Sequence, residues 1–427
     1  MSEEWQQYIQ DTRTQCKYGI KCYQKNPEHH KQYKHPPQLK VKANKKQRNN
    51  RFQPYNKFKT SEDENNIDKN TVKNDQEVEK IIKDNNIESQ PSASTITEND
   101  NENSLKCKNV SSHDIVSYYD RDIDPIILEE CFLVEMPPDF YKFYECLNKE
   151  SEPIEKLLAN VNLQLIGPYE LFLGKLPILQ DKDMYLIHWR FYYDPPEFQA
   201  ILKKKGKSEF HIGYYRDDPK EKPVFVARND SSTDCIITPV SENIFGAVYW
   251  FLQNEKKTSP FISIACQKMM EKVKNWAEEH KYSLEEFNMK KRIPNTVCRS
   301  FHSAGIVVPY NKKTQLGYRK LAESDAKIKK MFKQLSEANS QTEKDKVLSE
   351  LQPVLTYASI AMDECDFGTG LEAGIALFCS GLKELQTSAL RNLEVAYTLL
   401  RREAFKKIIQ VHLKHRRKGP EMSVLNI

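Results

Sequence analysis

The sequence predicts an α+β protein in four stretches: a small zinc finger at 14–38, a disordered linker at 39–112, an α+β subdomain at 113–300 and a mainly α-helical subdomain at 301–427. Three observations carry that division. Cysteine and histidine crowd into residues 16–36; residues 60–112 contain no aromatic side chain; and beyond Tyr118 the apolar pattern returns, first in short strand-like runs and later at three- and four-residue spacing. Charged residues make up 29% of the chain and the mean hydropathy is −0.72, so part of it cannot bury enough apolar surface to offset its ordering entropy. The polar opening MSEEWQQYIQ predicts no secretory leader, and no apolar run is long enough to span a bilayer. Cysteines are scattered apart from one close pair, Cys16 and Cys22, which fits a reducing compartment and a metal site better than a disulfide framework. The expectation is a soluble intracellular protein with no membrane partner.

Residues 16–36 read CKYGIKCYQKNPEHHKQYKHP. Cys16, Cys22, His29 and His35 offer two thiolates and two imidazoles, the tetrahedral set Zn²⁺ prefers, in a segment too short for a core of its own. His30, one residue on, is an alternative to His29, so the third ligand position is open by one residue. The spacing is unlike that of a DNA-reading finger, which places a long helix between its ligand pairs. It resembles the poly(ADP-ribose)-binding zinc finger, with C-x-Y-G-x-x-C-Y-x-K-N-P-x-H followed by an aromatic residue and H-P. The resemblance implies that Tyr18 and Tyr23 stack on adenine, as an aromatic face stacks on any flat base. Gln24 stands where that family usually carries an arginine that pairs with pyrophosphate. Lys25 and Lys21 are the substitutes at hand.

The linker has two characters. Residues 40–59 are basic without a single acid, and Lys45, Lys46, Arg48 and Arg51 suit nucleic-acid phosphates, a nuclear import signal or merely a solvated tail. Residues 60–112 read as a tether.

In the first folded half, Pro137 and Pro138 followed by Asp139 as N-cap predict a helix start at MPPDFYKFY. Residues 163–176 and 184–193 read as short strands around turns. Residues 211–216 and 224–228 read as a strand pair about the Asp217-Asp218-Pro219 turn, and 235–239 as a third strand. Tyr214, Tyr215 and Arg216 fit alternating strand positions better than a nucleotide cluster, and His211 fits a satisfied strand histidine. Helices follow at 243–252 and 262–280.

In the second half, 301–309 reads as a short strand, and 326–335, 343–361, 371–385 and 387–413 read as helices. Between them lies AMDECDFGTG at 361–370. Leu355, Tyr357, Ile360 and Met362 read as a buried helical run, and Gly368 and Gly370 as a turn that admits close backbone approach. Asp363 and Glu364 have two readings. Buried side by side, one serves as a general base with a raised pKa; otherwise they are ordinary acids flanking the next helix. No phosphate-cradling glycine loop or nucleophile–base pair is evident.

The strings HIGYYRDDP (211–219), LGYRKLAESDA (316–326) and AMDECDFGTGLEAG (361–374), with MPPDFYKFYE and GPYELFLG, make residues 120–415 similar to the histone PARylation factor 1 family. The resemblance implies a protein that is not an enzyme alone. It implies docking on the catalytic domain of DNA-damage-activated poly(ADP-ribose) polymerases, which bind NAD⁺ themselves, and completion of a composite active site that directs ADP-ribosylation to serines on histones. Carried over motif to motif, the catalytic glutamate is Glu364, its partner-contacting neighbour is Asp363, and the docking pair is Tyr318 and Arg319. The implied address is the nucleus, on chromatin at damage sites. The runner-up is a poly(ADP-ribose) reader that tethers a scaffold without catalysing anything.

Overall fold

The computed structural model describes residues 10–16, 27–35, 116–149 and 151–426, in two compact units divided after Leu105. Tyr18, Cys22, Tyr23, Gln24, Lys25 and the linker lie outside the described residues. In the first unit, β1 (Thr14–Gln15) pairs in parallel with β2 (Tyr33–Lys34), with α1 (Pro27–Gln32) between them in sequence.

The second unit is built on a five-stranded antiparallel sheet in simple sequential order: β3 (Leu163–Leu165), β4 (Phe198–Lys204), β5 (Phe210–Tyr215), β6 (Phe225–Asp230) and β7 (Thr238–Ser241). The pairing of 211–216 with 224–228 is as the sequence predicts, and the third strand sits three residues later than expected. Tyr214 and Tyr215 do alternate. Tyr214 joins the main core, while Tyr215 stacks at 4.8 Å on Phe225 in a second cluster. His211 is satisfied on both nitrogens, by Glu209 O at 2.7 Å and Asp194 Oδ1 at 2.8 Å.

Helices cover the sheet and then form their own layer. They are α2 (Pro125–Phe132), α3 (Pro138–Asn148), α4 (Ile154–Ala159), α5 (Tyr169–Phe172), α6 (Ile244–Glu255), α7 (Pro260–Glu279), α8 (Met289–Arg292), α9 (Asp325–Glu337), α10 (Gln341–Asp363), α11 (Phe367–Ser380), α12 (Gln386–Leu399) and α13 (Glu403–Lys414). One apolar core runs from Leu128 to Val424 through both halves. Among the described residues no helix is long and apolar enough to cross a membrane.

Several expectations are corrected. Only 163–165 of the stretch 163–176 is strand; α5 follows. Residues 184–193 hold a 3₁₀ turn (Lys182–Ile187), in which the consecutive Tyr185, Leu186 and Ile187 are all buried. Strand β4 escapes sequence reading because its first six residues are all buried, leaving no alternation to see. Asp139 does not cap α3. It is buried, and one carboxylate oxygen accepts from Tyr214 Oη at 2.9 Å and from the first amide of α6, Ile244 N, at 2.8 Å. Residues 301–309 form turns and one isolated bridge, not a strand. The helix expected over 387–413 is broken at 400–402, where Arg401 takes φ 60° and the buried Arg402 donates to Val307 O at 2.8 Å. Arg416, beyond the last helix, is packed between Tyr192 and Phe378.

Candidate functional site

Helix α10 starts with a capping box, Ser340 and Glu343, and buries Val347, Leu351, Val354, Ala358, Ala361 and Met362. Tyr357 and Ile360 lie off that stripe, Ile360 exposed, so the run 355–362 is amphipathic rather than buried throughout. The helix stops in a reciprocal pair of backbone bonds. Asp366 N donates to Ala361 O at 2.8 Å and Cys365 N to Met362 O at 3.0 Å, with Cys365 in the left-handed region at φ 71°. A cysteine there lacks glycine's conformational freedom, so the surroundings enforce the turn.

Asp363 is the last residue of α10 and Glu364 its C-cap. Both acids therefore stand at the negative end of a helix dipole, where neither stabilises it. Glu364 is 58% exposed, not buried, which removes the desolvation that the buried-base reading required of the isolated chain. The N-cap of α11 is Asp366 instead. Gly368 and Gly370 belong to α11 rather than to a loop, and their expected role in close approach holds. A Cβ on Gly370 would come within 2.1 Å of Met362 Sδ, and one on Gly368 within 2.8 Å of Val308 Cγ2 and 3.0 Å of Gly317 O.

That contact brings the second motif to the first. Residues 309–316 form an exposed loop, and 317–319 lie against α11. Arg319 Nη1 is 2.6 Å from Glu364 Oε2, its Nε is 3.5 Å from Asp366 Oδ2, and its guanidinium sits 5.0 Å from the Tyr357 ring centre. Tyr318 Oη donates to Glu372 Oε2 at 3.1 Å. Burial, with the Cys298 thiol and the Glu372 carboxylate beside it, drives the Tyr318 phenol far above its usual range, so it stays protonated. Burial raises the Glu372 carboxyl as well, against hydrogen bonds from Cys298 and Tyr318 that lower it. A groove of about 1270 Å³ opens beside Tyr318 and Arg319, with Lys291, Lys312 and Lys320 among its lining residues. The structure thus brings Arg319 to Glu364, with Tyr318 and Asp363 their neighbours in the chain, a meeting that sequence spacing alone does not show. Sequence reading missed Asp366, Thr369 and Glu372, although all three fall within the quoted string.

The metal centre is separate. Cys16 Sγ lies 3.3 Å from His29 Nε2, which lies 3.2 Å from His35 Nε2, and the three ligand atoms fall within 4.8 Å of one another. Donors on a zinc tetrahedron stand roughly 3.3–3.8 Å apart given metal bonds of about 2.0–2.3 Å; the two separations about His29 lie at the short end of that range, and one thiolate with two imidazoles is the donor chemistry that suits Zn²⁺. The group contains His29 and not His30, whose ring packs 4.5 Å from that of His35 and whose carbonyl accepts from Arg13 at 2.6 Å. Burial, then the His30 and His29 rings, lowers His35, favouring the neutral imidazole a metal needs.

Comparison with known proteins matches this architecture in both parts. Residues 125–416 match the family model described as Histone PARylation factor 1, and residues 13–38 that of the PBZ domain. Histone PARylation factor 1 of Bos taurus is 40% identical over 298 residues, spanning 68% of this chain and 86% of the relative. The Mus musculus protein of that name is 39% identical over 298 residues with the same coverage, and that of Danio rerio 37% over 296 residues, spanning 68% and 84%. The chain belongs to the histone PARylation factor 1 family, with a PBZ-type CCHH finger at its N-terminal end.

Proposed function

We propose that the chain is an accessory factor of DNA-damage-activated poly(ADP-ribose) polymerases. It completes a composite active site and directs ADP-ribosylation to serines on histones, in the nucleus on damaged chromatin. The observation that carries this reading is Glu364, an exposed acid fixed by a strained turn at the end of a helix that gains nothing from it, and joined to Arg319. A serine hydroxyl is a poor nucleophile at neutral pH, and attack on a ribose carbon needs a base within hydrogen-bond reach. The polymerase holds NAD⁺; Glu364 takes the serine proton. In the free chain that carboxylate is engaged by Arg319. Docking hands the Arg319 guanidinium to a carboxylate of the polymerase, a planar two-pronged match, and releases Glu364 for catalysis. Tyr318 adds rigid contact area and Asp363 a second polar contact.

The finger supports a further role. Cys16, Cys22, His29 and His35 hold zinc, and Tyr18, Tyr23, Gln24 and Lys25 grip poly(ADP-ribose). The tether then raises the effective concentration of the factor near active polymerase. The basic segment 40–59 adds affinity for nucleic-acid phosphates. The second reading, a polymer reader without catalytic role, is favoured by the converging Cys16, His29 and His35 donors alone.

A reconstituted assay with polymerase catalytic domain, NAD⁺ and a histone peptide tests the reading. Serine-linked product should require this chain, survive deletion of residues 1–40 and be lost with Arg319→Ala through failure to dock. Loss of all activity on deleting 1–40 favours the reader, and normal docking of Arg319→Ala refutes the interface.

A further inference from the structure

Three side chains on one face of α11 hold the docking pair in place. Asp366, Thr369 and Glu372 are spaced by three residues, so they stack along one side of the helix. All three are buried, Thr369 completely. Each bonds to a different residue of the segment 317–319. Asp366 Oδ1 accepts from Gly317 N at 2.8 Å. Thr369 Oγ1 accepts from Arg319 N at 3.0 Å and donates to Arg319 O at 2.7 Å. Glu372 Oε2 accepts from Tyr318 Oη at 3.1 Å.

Two details set this apart from ordinary packing. Aspartate is among the best N-cap residues, yet Asp366, at the N-cap of α11, makes no side-chain bond to its own helix. Its carboxylate serves the neighbouring segment instead. One hydroxyl, that of Thr369, satisfies both backbone polar groups of Arg319, a task that falls to a paired strand where regular structure is present. Residues 309–316 just before are all exposed, so the backbone of Arg319 is held by α11, while its side chain reaches Glu364 and Tyr357 of α10.

We propose that Asp366, Thr369 and Glu372 are positioning residues that set where Tyr318 and Arg319 stand relative to Glu364, with Thr369 as the pivot. The inference rests on the reading of Tyr318 and Arg319 as the polymerase-docking pair. Thr369→Val keeps shape and volume but strips Arg319 of both backbone partners. Thr369→Ser keeps the hydroxyl.

The test measures serine transfer by the polymerase catalytic domain at rising concentrations of full-length factor. Thr369→Val should raise the half-saturating concentration at least about tenfold, with the maximal rate within about twofold of wild type, because Glu364 is untouched. Thr369→Ser should restore half-saturation to near wild type. Thr369→Val saturating like wild type, or Thr369→Ser failing to restore, overturns the inference. Should Thr369→Val not fold, Glu372 decides: Glu372→Gln, which keeps an acceptor, should dock normally and Glu372→Leu at least about tenfold more weakly. Equal docking of the two overturns the inference. Arg319→Ala separates this from the underlying reading. If it docks normally, both fall; if it fails to dock while Thr369→Val and Glu372→Leu dock normally, only the positioning role falls.

Discussion

Gly368→Ala sets two effects of opposite sign against each other. Gly368 lies in the first turn of α11, where Ala is favoured over Gly by up to about 1 kcal/mol. The new Cβ would stand 2.8 Å from Val308 Cγ2, 3.0 Å from Gly317 O and 3.2 Å from Tyr318 Cβ, whereas carbons rest at about 3.5–4.0 Å. Val308 is buried and β-branched, so it has no spare rotamer to retreat into. Overpacking of this kind costs about 1–3 kcal/mol, which outweighs the propensity gain and leaves a net loss of about 1 kcal/mol. Calorimetry should record a Tm lower by about 1–2 °C. What yields is the segment 317–318, carrying Arg319 with it, so polymerase docking should weaken several-fold in a titration while zinc content stays unchanged. A higher Tm with unchanged docking would refute the close packing of α11 on that segment.

The buried His302 predicts an acid limb of stability. Its Nδ1 accepts from Ala304 N at 3.1 Å, and burial, with the charge of Arg292 second, holds its pKa at about 3, so the native ring is neutral. Above pH 6.5 its stabilising effect is complete. As pH falls from about 6.5 towards 3 the unfolded chain binds a proton that the native one refuses, and stability is lost at about 1.4 kcal/mol per pH unit. Urea titrations at pH 7 and pH 5 should show the wild type losing about 2 kcal/mol more than His302→Gln; equal losses contradict the assignment. Cys16→Ser should abolish bound zinc by atomic emission and leave the Tm of the large unit unchanged; retained zinc contradicts the finger's ligand set.

The parts of the molecule legible in its sequence are those where one face is dry and the other wet. Helices α7, α9 and α10 show their buried stripes as three- and four-residue spacing, and the strands about Asp217-Asp218-Pro219 are marked by a turn. The hidden parts follow from long-range geometry. Strand β4 is buried over its first six residues and shows no period; Asp139 looks like a helix cap, yet bridges to Tyr214, 75 residues on, and to Ile244 of α6, 105 residues on. At the break between α12 and α13 Arg401 takes φ 60° and Arg402 reaches Val307 O, a long-range contact that no local pattern reveals. At the site, the two motifs are forty-five residues apart (364 − 319), and only family resemblance singles them out as a pair. Their meeting rests on Gly368 and Thr369, residues whose importance lies in what they touch.

The most direct measurement of the central claim is serine transfer by Glu364→Gln, made alongside its affinity for the polymerase. The carboxylate is more than half exposed, and its ion pair with Arg319 is worth at most about 1 kcal/mol, so folding and docking should be close to wild type. Loss of the general base should lower transfer to serine by about a hundredfold or more. A docked Glu364→Gln that modifies histone serines at the wild-type rate would contradict the account.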